Sequence, residues 1–329
     1  LLGGFLAVSM TDFVQGTIMF IALILVPIIT ITDVGGTHNM LNDIRHIDPS
    51  LLDFFKGTSL IGILSLFAWG LGYFGQPHII VRFMAIKTPH ELKSARRIGI
   101  GWMILSLLGA MISGLAGIAY FAHHGGPLKN PETVYIKLAD ILFNPFITGF
   151  LLAAVLAAVM STISSQLLVT SSAVTEDFYK TFFRRNATDK ELVLIGRGAV
   201  LTIAVIAMVM AYTPNDTILN LVGHAWAGFG SSFGPVLLLS LYWKRMTRGG
   251  ALAGMLVGGL TVIFWLNIHS LNHLFPMPDS LLWAADNVYE MIPGFFLSLA
   301  AVVIASLLTP EPKASVLDRF DTMKKQLSQ

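Results

Sequence analysis

Eight long apolar runs, at roughly residues 3–32, 58–86, 97–122, 146–175, 193–213, 217–242, 249–271 and 287–309, dictate what this chain can become. A helix needs about 20 residues to cross a hydrocarbon core, and each run can supply that reach. The runs are too long, and alternate too little, to be strands of an outer-membrane barrel. Of the 329 residues, 54% are hydrophobic and 12% are charged. Soluble domains carry about twice that charge. The fold class is therefore all-α, a polytopic membrane protein with about eight transmembrane helices and no soluble domain. There is no cysteine, so disulfides, thiolate zinc sites and iron–sulfur clusters are excluded. The chain opens on "LLGGFLAVSM", already apolar and without an initiator Met, so an N-terminal part is expected to be missing.

Lys and Arg sort the loops by side. One set holds Lys87, Lys93, Arg96 and Arg97, then Lys180, Arg184, Arg185 and Lys190, then Lys244, Arg245 and Arg248. The tail after residue 309 adds Lys313, Arg319, Lys324 and Lys325. The alternate loops hold only Arg45, Lys56, Lys129 and Lys137. Cytoplasmic loops are the ones enriched in Lys and Arg. Both ends of the chain are thus expected in the cytoplasm, with 310–329 as a cytoplasmic tail. The outer loop 33–57 is acidic, through Asp33, Asp43, Asp48 and Asp53, and 123–145 should hold a short amphipathic helix. "NAT" at 186–188 fits a glycosylation sequon but falls on the cytoplasmic side and is set aside.

The second run carries its own breakers, in "WGLGYFGQPHIIVRFMA" at 69–85. Pro77 removes a backbone donor and disfavours helical geometry at Gln76. Gly70, Gly72 and Gly75 make non-helical angles accessible. An unwound stretch near 72–77 is expected, with half-helices on either side. In lipid such backbone survives only where protein or water surrounds it, and secondary transporters build solute sites there. Trp69 and Tyr73 are four residues apart, on one helical face, and suit the wall of a pocket for a compact solute. The same residues also suit an ordinary Pro-kinked helix with packed aromatics.

The fourth run reads "LLAAVLAAVMSTISSQLLVTSSAVTED" at 151–177. Ala158, Ser161, Thr162 and Ser165 make one stripe at helical spacing. Hydroxyls and carbonyls are the oxygen ligands a hard cation such as sodium takes. Small residues and back-bonded hydroxyls in tight helix packing would look alike. Ser164 is turned by about 100° from Ser165, towards another neighbour. Asp12, in "AVSMTDFVQG", is an acidic residue in a membrane helix near the cytoplasmic interface, either functional or a solvated helix end. The sixth run, "AWAGFGSSFGPVLLLSLYW", should kink at Gly234-Pro235, and His224 before it reads as a polar helix-end residue.

Taken together, "GGFLAVSMTD" at 3–12, "WGLGYFGQPHIIVRFMA" at 69–85, "LAAVMSTISSQLLVTSSAVTED" at 156–177 and "WKRMTRGGALAGM" at 243–255 resemble the sodium:solute symporter family, in its proline-transporting bacterial branch. The likeness covers nearly the whole chain. It implies a five-plus-five inverted-repeat transporter fold, present here in part. Residues 3–32 would be the last helix of the first repeat, 58–242 the whole second repeat, and 249–309 two peripheral helices of a single transmembrane domain. The family's first four core helices would be absent, so this stretch alone should not transport.

The resemblance further implies that Trp69, Tyr73, Gln76 and Pro77 serve the solute, and that Ala158, through its carbonyl, Ser161 and Thr162 hold half of a sodium site. Asp12, Ser164 and Ser165 match a second cation site of some members. The proline branch usually has Cys where Ser165 stands, and the serine here is the departure that suggests such a second site in this chain. The implied function is sodium-coupled uptake of L-proline across the bacterial inner membrane. The chain would be a secondary transporter rather than an enzyme, with sodium as the co-transported ion and the lipid bilayer as its surroundings. No nucleic acid and no obligatory protein partner are expected. A symporter for another small solute, or a transporter-like sensor domain, keeps the fold and changes the role. The tail is too short for a kinase core, which weighs against the sensor. A membrane enzyme lacks support, since no metal-ligand spacing such as H-E-x-x-H occurs.

Overall fold

The computed structural model describes residues 4–212 and 218–327. Residues 3, 213 and 217, at the ends of predicted runs, and the last two residues of the tail lie outside that range. Helices run in the order α1 (Gly4–Asp33), α2 (Thr37–Ile47), α3 (Leu60–Gly72), α4 (Pro77–Met84), α5 (Glu91–His123), α6 (Val134–Leu142) and α7 (Pro145–Ser172). They continue as α8 (Asp189–Ala211), α9 (Ile218–Tyr242), α10 (Arg248–Leu266), α11 (Ile268–Asn272), α12 (Asp279–Asn287), α13 (Met291–Leu308) and α14 (Ala314–Leu327). The short helix expected in 123–145 is α6, whereas α2 in the acidic loop was not foreseen.

Among the described residues six helices are long and apolar enough to cross a membrane: α1, α5, α7 with its extension to Phe183, α8, α10 and α13. The broken pair at 60–84, bent by 49°, makes a seventh if it counts as one span. The remaining expected run, the sixth in order, is α9, which has 25 residues. Its glycines, serines, His224 and Pro235 dilute the apolar character that its length would otherwise give it. Only 11% to 33% of the most apolar stretch of each span is buried inside the structure. Apolar surface on that scale needs lipid rather than water around it. The chain is an all-α, polytopic membrane protein.

Local sequence sets where these helices begin. Pro145 opens α7, and the Asn144 side chain accepts from the N–H groups of Phe146 and Ile147, both at 3.1 Å. Thr188 caps α8, with Asp189 and Glu191 in its first turn. Thr247 caps α10 through Gly250, and Ser59 caps α3 through Gly62. Such caps satisfy N–H groups that the first turn leaves open, and acidic residues there suit the helix dipole. At its far end α7 runs on into an 11-residue π-helical stretch, Ala173–Phe183.

The chain forms two compact units. The first comprises residues 1–56 and 90–212. Its core joins Ala22 and Val26 of α1, Tyr120 and Phe121 of α5, Leu138 and Ala139 of α6, and Leu151 and Ala154 of α7. The second comprises residues 57–89 and 213–329. There α10 presents Gly250, Gly254 and Gly258 at four-residue spacing. A side chain at these positions would run into Ser306, Val302 and the Ser231 carbonyl respectively. Small residues let the backbones approach, which is how membrane helices gain packing energy without a hydrophobic drive. Arg245 fastens the same seam: its guanidinium donates to the carbonyls of Ser306 at 2.8 Å, in the last turn of α13, and of Thr309 at 2.9 Å, the residue that follows it. Thr247 and Thr309 join hydroxyls at 2.7 Å beside it.

Candidate solute and cation sites

In the second unit the break is tighter than the sequence suggested. Residues Tyr73–Gly75 form a 3₁₀ turn, Gln76 alone is extended at φ −81° and ψ 113°, and Pro77 starts α4. Pro at the first helical position is where its missing N–H is harmless. The glycines are not there to reach unusual angles: Gly72 has φ −65°, and neither it nor Gly75 has a positive φ. They are there because α9 crosses so close. A Cβ on Gly72 would fall within the Trp226 indole, and one on Gly75 would collide with the Phe229 carbonyl and stand 2.6 Å from the Gly230 Cα.

Trp69 stacks on Tyr289 at 5.7 Å and 12°, and on Trp226 at 6.1 Å and 27°. Tyr73 meets Trp226 edge-on at 4.9 Å and 84°. These are the favoured geometries of aromatic pairs. Trp69 is half-buried, and Tyr73 is 47% exposed. Gln76 is 3% exposed, and its amide donates to the carbonyls of Gly72 at 3.2 Å and Trp226 at 3.1 Å. The Trp226 indole N–H in turn donates to the Trp69 carbonyl at 2.9 Å. Carbonyls beside the break are thus partly satisfied from within. This is what a low-dielectric setting requires.

Residues that sequence reasoning left aside frame this cluster. The Tyr289 hydroxyl donates to the Gly223 carbonyl at 2.7 Å, and its N–H to Ser65 Oγ at 3.1 Å. Next to it, the buried Glu290 carboxylate meets His224 Nδ1 at 2.6 Å. His224 is therefore a partner of a buried carboxylate rather than a bare helix-end residue. The glycine-rich pattern of "AWAGFG" carried a signal for Trp226, since glycines spaced along a helix mark close approach. Nothing in the sequence linked Tyr289 to Trp69, which lies 220 residues earlier.

In the first unit the hydroxyl stripe of α7 gathers on one carbonyl. Ser161 Oγ donates to the Ala158 carbonyl at 3.0 Å, and Thr162 Oγ1 to the same oxygen at 3.2 Å. Three oxygens of the kind sodium takes thus lie together, and the hydroxyls can turn from donating to coordinating by rotation alone. The same geometry is ordinary back-bonding, so it permits a cation and does not require one. Ser165 is buried, and its hydroxyl faces both the Ser161 carbonyl at 2.8 Å and Asp12 Oδ2 at 3.3 Å. The structure therefore brings Asp12 of α1 to Ser165 of α7, 153 positions on. Ser164 is held by its own helix, on the carbonyls of Met160 at 2.7 Å and Ser161 at 3.3 Å. It lines a cleft of about 580 Å³ with Val8, Met160, Ser171 and Gly196.

Residues 1–258 match the sodium:solute symporter family. The chain is 59% identical over 329 residues to the high-affinity proline transporter PutP of Bacillus subtilis (strain 168), which covers 100% of the chain and 67% of that protein. It is 57% identical to the osmoregulated proline transporter OpuE of the same organism, across 99% of the chain and 64% of that protein. Sodium/proline symporter 2 of Staphylococcus saprophyticus is 50% identical, across 98% of the chain and 62% of its own length. The chain thus spans about two thirds of the length of these relatives. Among solved structures, the substrate-bound outward-open state of a Na⁺-coupled sialic acid symporter matches with a TM-score of 0.72 at 17% identity, over 94% of this chain and 64% of that one. At that identity the likeness establishes the fold. The chain belongs to the sodium:solute symporter family.

Proposed function

We propose that this chain is the larger part of a bacterial inner-membrane symporter that couples sodium entry to uptake of L-proline. The observation that carries this is identity of 59% and 57%, along essentially the whole chain, with two proteins named as proline transporters. Trp69 and Tyr73 supply the wall against which the pyrrolidine ring packs, and Gln76 and Pro77 shape the turn that presents them. Ala158, Ser161 and Thr162 give the oxygens for the coupling sodium, and Asp12, Ser165 and Ser164 form a second cation site. Contact between Asp12 and Ser165 supports the first two members of that set more than the third.

The architecture proposed is the five-plus-five inverted repeat in part, with eight spans. The first helix closes one repeat, 58–242 forms the other, and two peripheral helices follow. Both chain ends face the cytoplasm, as the Lys and Arg distribution supports. Coupling needs no covalent chemistry. Sodium and solute each bind best to the state that the other stabilises, and the coupling is reciprocal. Each charge carried inward down the membrane potential contributes about 2.3 kcal/mol per 100 mV.

The test is uptake of labelled proline by the complete protein in proteoliposomes, with an inward sodium gradient and with potassium in its place. Accumulation above equilibrium with sodium alone is expected. Folded protein that takes up no proline in either condition would overturn the proline reading and leave the fold in place.

A further inference from the structure

We infer that Trp226 is a positioning residue for the solute site, holding the bend at 72–76 in the geometry that presents Trp69 and Tyr73. This rests on the reading of the broken helix as part of the proline site. Three contacts carry it, all made by one side chain and its own carbonyl. The indole N–H is bound to the Trp69 carbonyl, before the bend. The Trp226 carbonyl takes the Gln76 amide, after the bend, and that amide also holds the Gly72 carbonyl between them. The indole ring meets Trp69 face to face and Tyr73 by its edge.

The strap has a fixed anchor. Trp226 sits on α9 between Gly223, whose carbonyl takes the Tyr289 hydroxyl, and the fully buried Ala227. His224 meets Glu290 on the same stretch. The start of α9 is thereby tied to the start of α13, and Trp226 transmits that fixed position to the turn. Gly72 is the complementary feature, since only a residue without Cβ leaves room for the indole. A tryptophan placed only to fill space would not need its N–H and its carbonyl spent on opposite sides of one bend.

The experiment measures sodium-driven proline uptake by the complete protein, for wild type, Trp226→Phe and Trp226→Ala, normalised to folded protein. Trp226→Phe keeps a ring but loses the N–H, and should raise KM about fivefold with maximal rate within about twofold. Trp226→Ala should raise KM tenfold or more, by about the worth of the lost stacking on top of the hydrogen bond. A lower maximal rate with unchanged KM in both variants would mean a merely structural role and overturn the inference. A second arm is independent of solute: hydrogen exchange of amides 73–84. Faster exchange there in Trp226→Ala, with α10 and α13 unchanged, is the expected result, and equal exchange overturns it. If wild type takes up no proline, the solute reading falls and the exchange arm alone decides whether Trp226 holds the bend.

Discussion

Replacing Gly72 with alanine should do damage that the same change at Gly70, two residues earlier, does not. At Gly72 the new methyl would overlap Nε1 and Cδ1 of Trp226 and stand 2.8 Å from its Cε2. The indole cannot move aside freely, because its N–H is bound to the Trp69 carbonyl and its ring packs on Trp69 and Tyr73. Overpacking of this kind costs about 1–3 kcal/mol. A displaced indole also forfeits a hydrogen bond of about 1 kcal/mol and part of two aromatic contacts of about 0.5–1.5 kcal/mol each. A loss of about 3 kcal/mol is the working figure, large against a total stability of about 5–15 kcal/mol. At Gly70 a Cβ meets nothing within 4 Å, and the residue lies within α3. There alanine should stabilise by about 0.4–1 kcal/mol, through the lower entropy of the unfolded chain. Thermal melts of the two purified variants in detergent, beside wild type, read both signs. Gly72→Ala melting at or above wild type, or Gly70→Ala falling as far as Gly72→Ala, would refute the account of the break as a packing site for α9.

Ser161→Ala and Thr162→Ala should each raise the sodium concentration for half-maximal proline uptake by about tenfold, with little change in expression, the worth of one oxygen ligand taken as about 1.4 kcal/mol; uptake at graded sodium checks this, and an unchanged sodium dependence in both removes the site. Asp12→Asn should flatten the Hill slope of uptake against sodium towards one, and Ser165→Ala should do the same by removing the partner of that carboxylate; a wild-type slope already near one and unmoved by either rules out a second cation. Arg245→Lys keeps the charge but not the fork that spans two carbonyls, and should lower stability by about 1–2 kcal/mol. Arg245→Ala should lower it further, and a melt showing neither effect would mean that the cap is idle.

Much of this molecule was legible in its sequence because lipid leaves few choices. Backbone groups in hydrocarbon must bond within their own helix, so apolar length reads directly as helix. All eight runs correspond to helical segments, and the break falls where Pro77 and its glycines put it. The reason for those glycines was not legible. Composition suggested angles that other residues avoid, yet the angles are ordinary and the need is for space beside Trp226. That requirement belongs to a pair of residues 154 positions apart, and no periodicity encodes it. The hydroxyl stripe was visible by spacing alone. The approach of Asp12 to Ser165 was supplied by the family resemblance, not by spacing, because it depends on how α1 packs on α7. Tyr289 and Glu290 were missed for the same reason, as they sit where an apolar run begins and act on partners far back in the chain.

The guanidinium clasp at the end of α13 has a consequence in time. Arg245 leaves the ribosome 61 residues before the first carbonyl that it will cap. Until α13 has been made those carbonyls do not exist, and in the proposed topology the same charge is one of the cations that would keep its loop on the cytoplasmic side. When α13 arrives, the guanidinium takes its end carbonyls and becomes a fastener. A single residue thus serves first as an address label and afterwards as a lock, and the order cannot be reversed. The seam that it closes is completed late in the synthesis of this stretch, from its two ends' sequence separation alone.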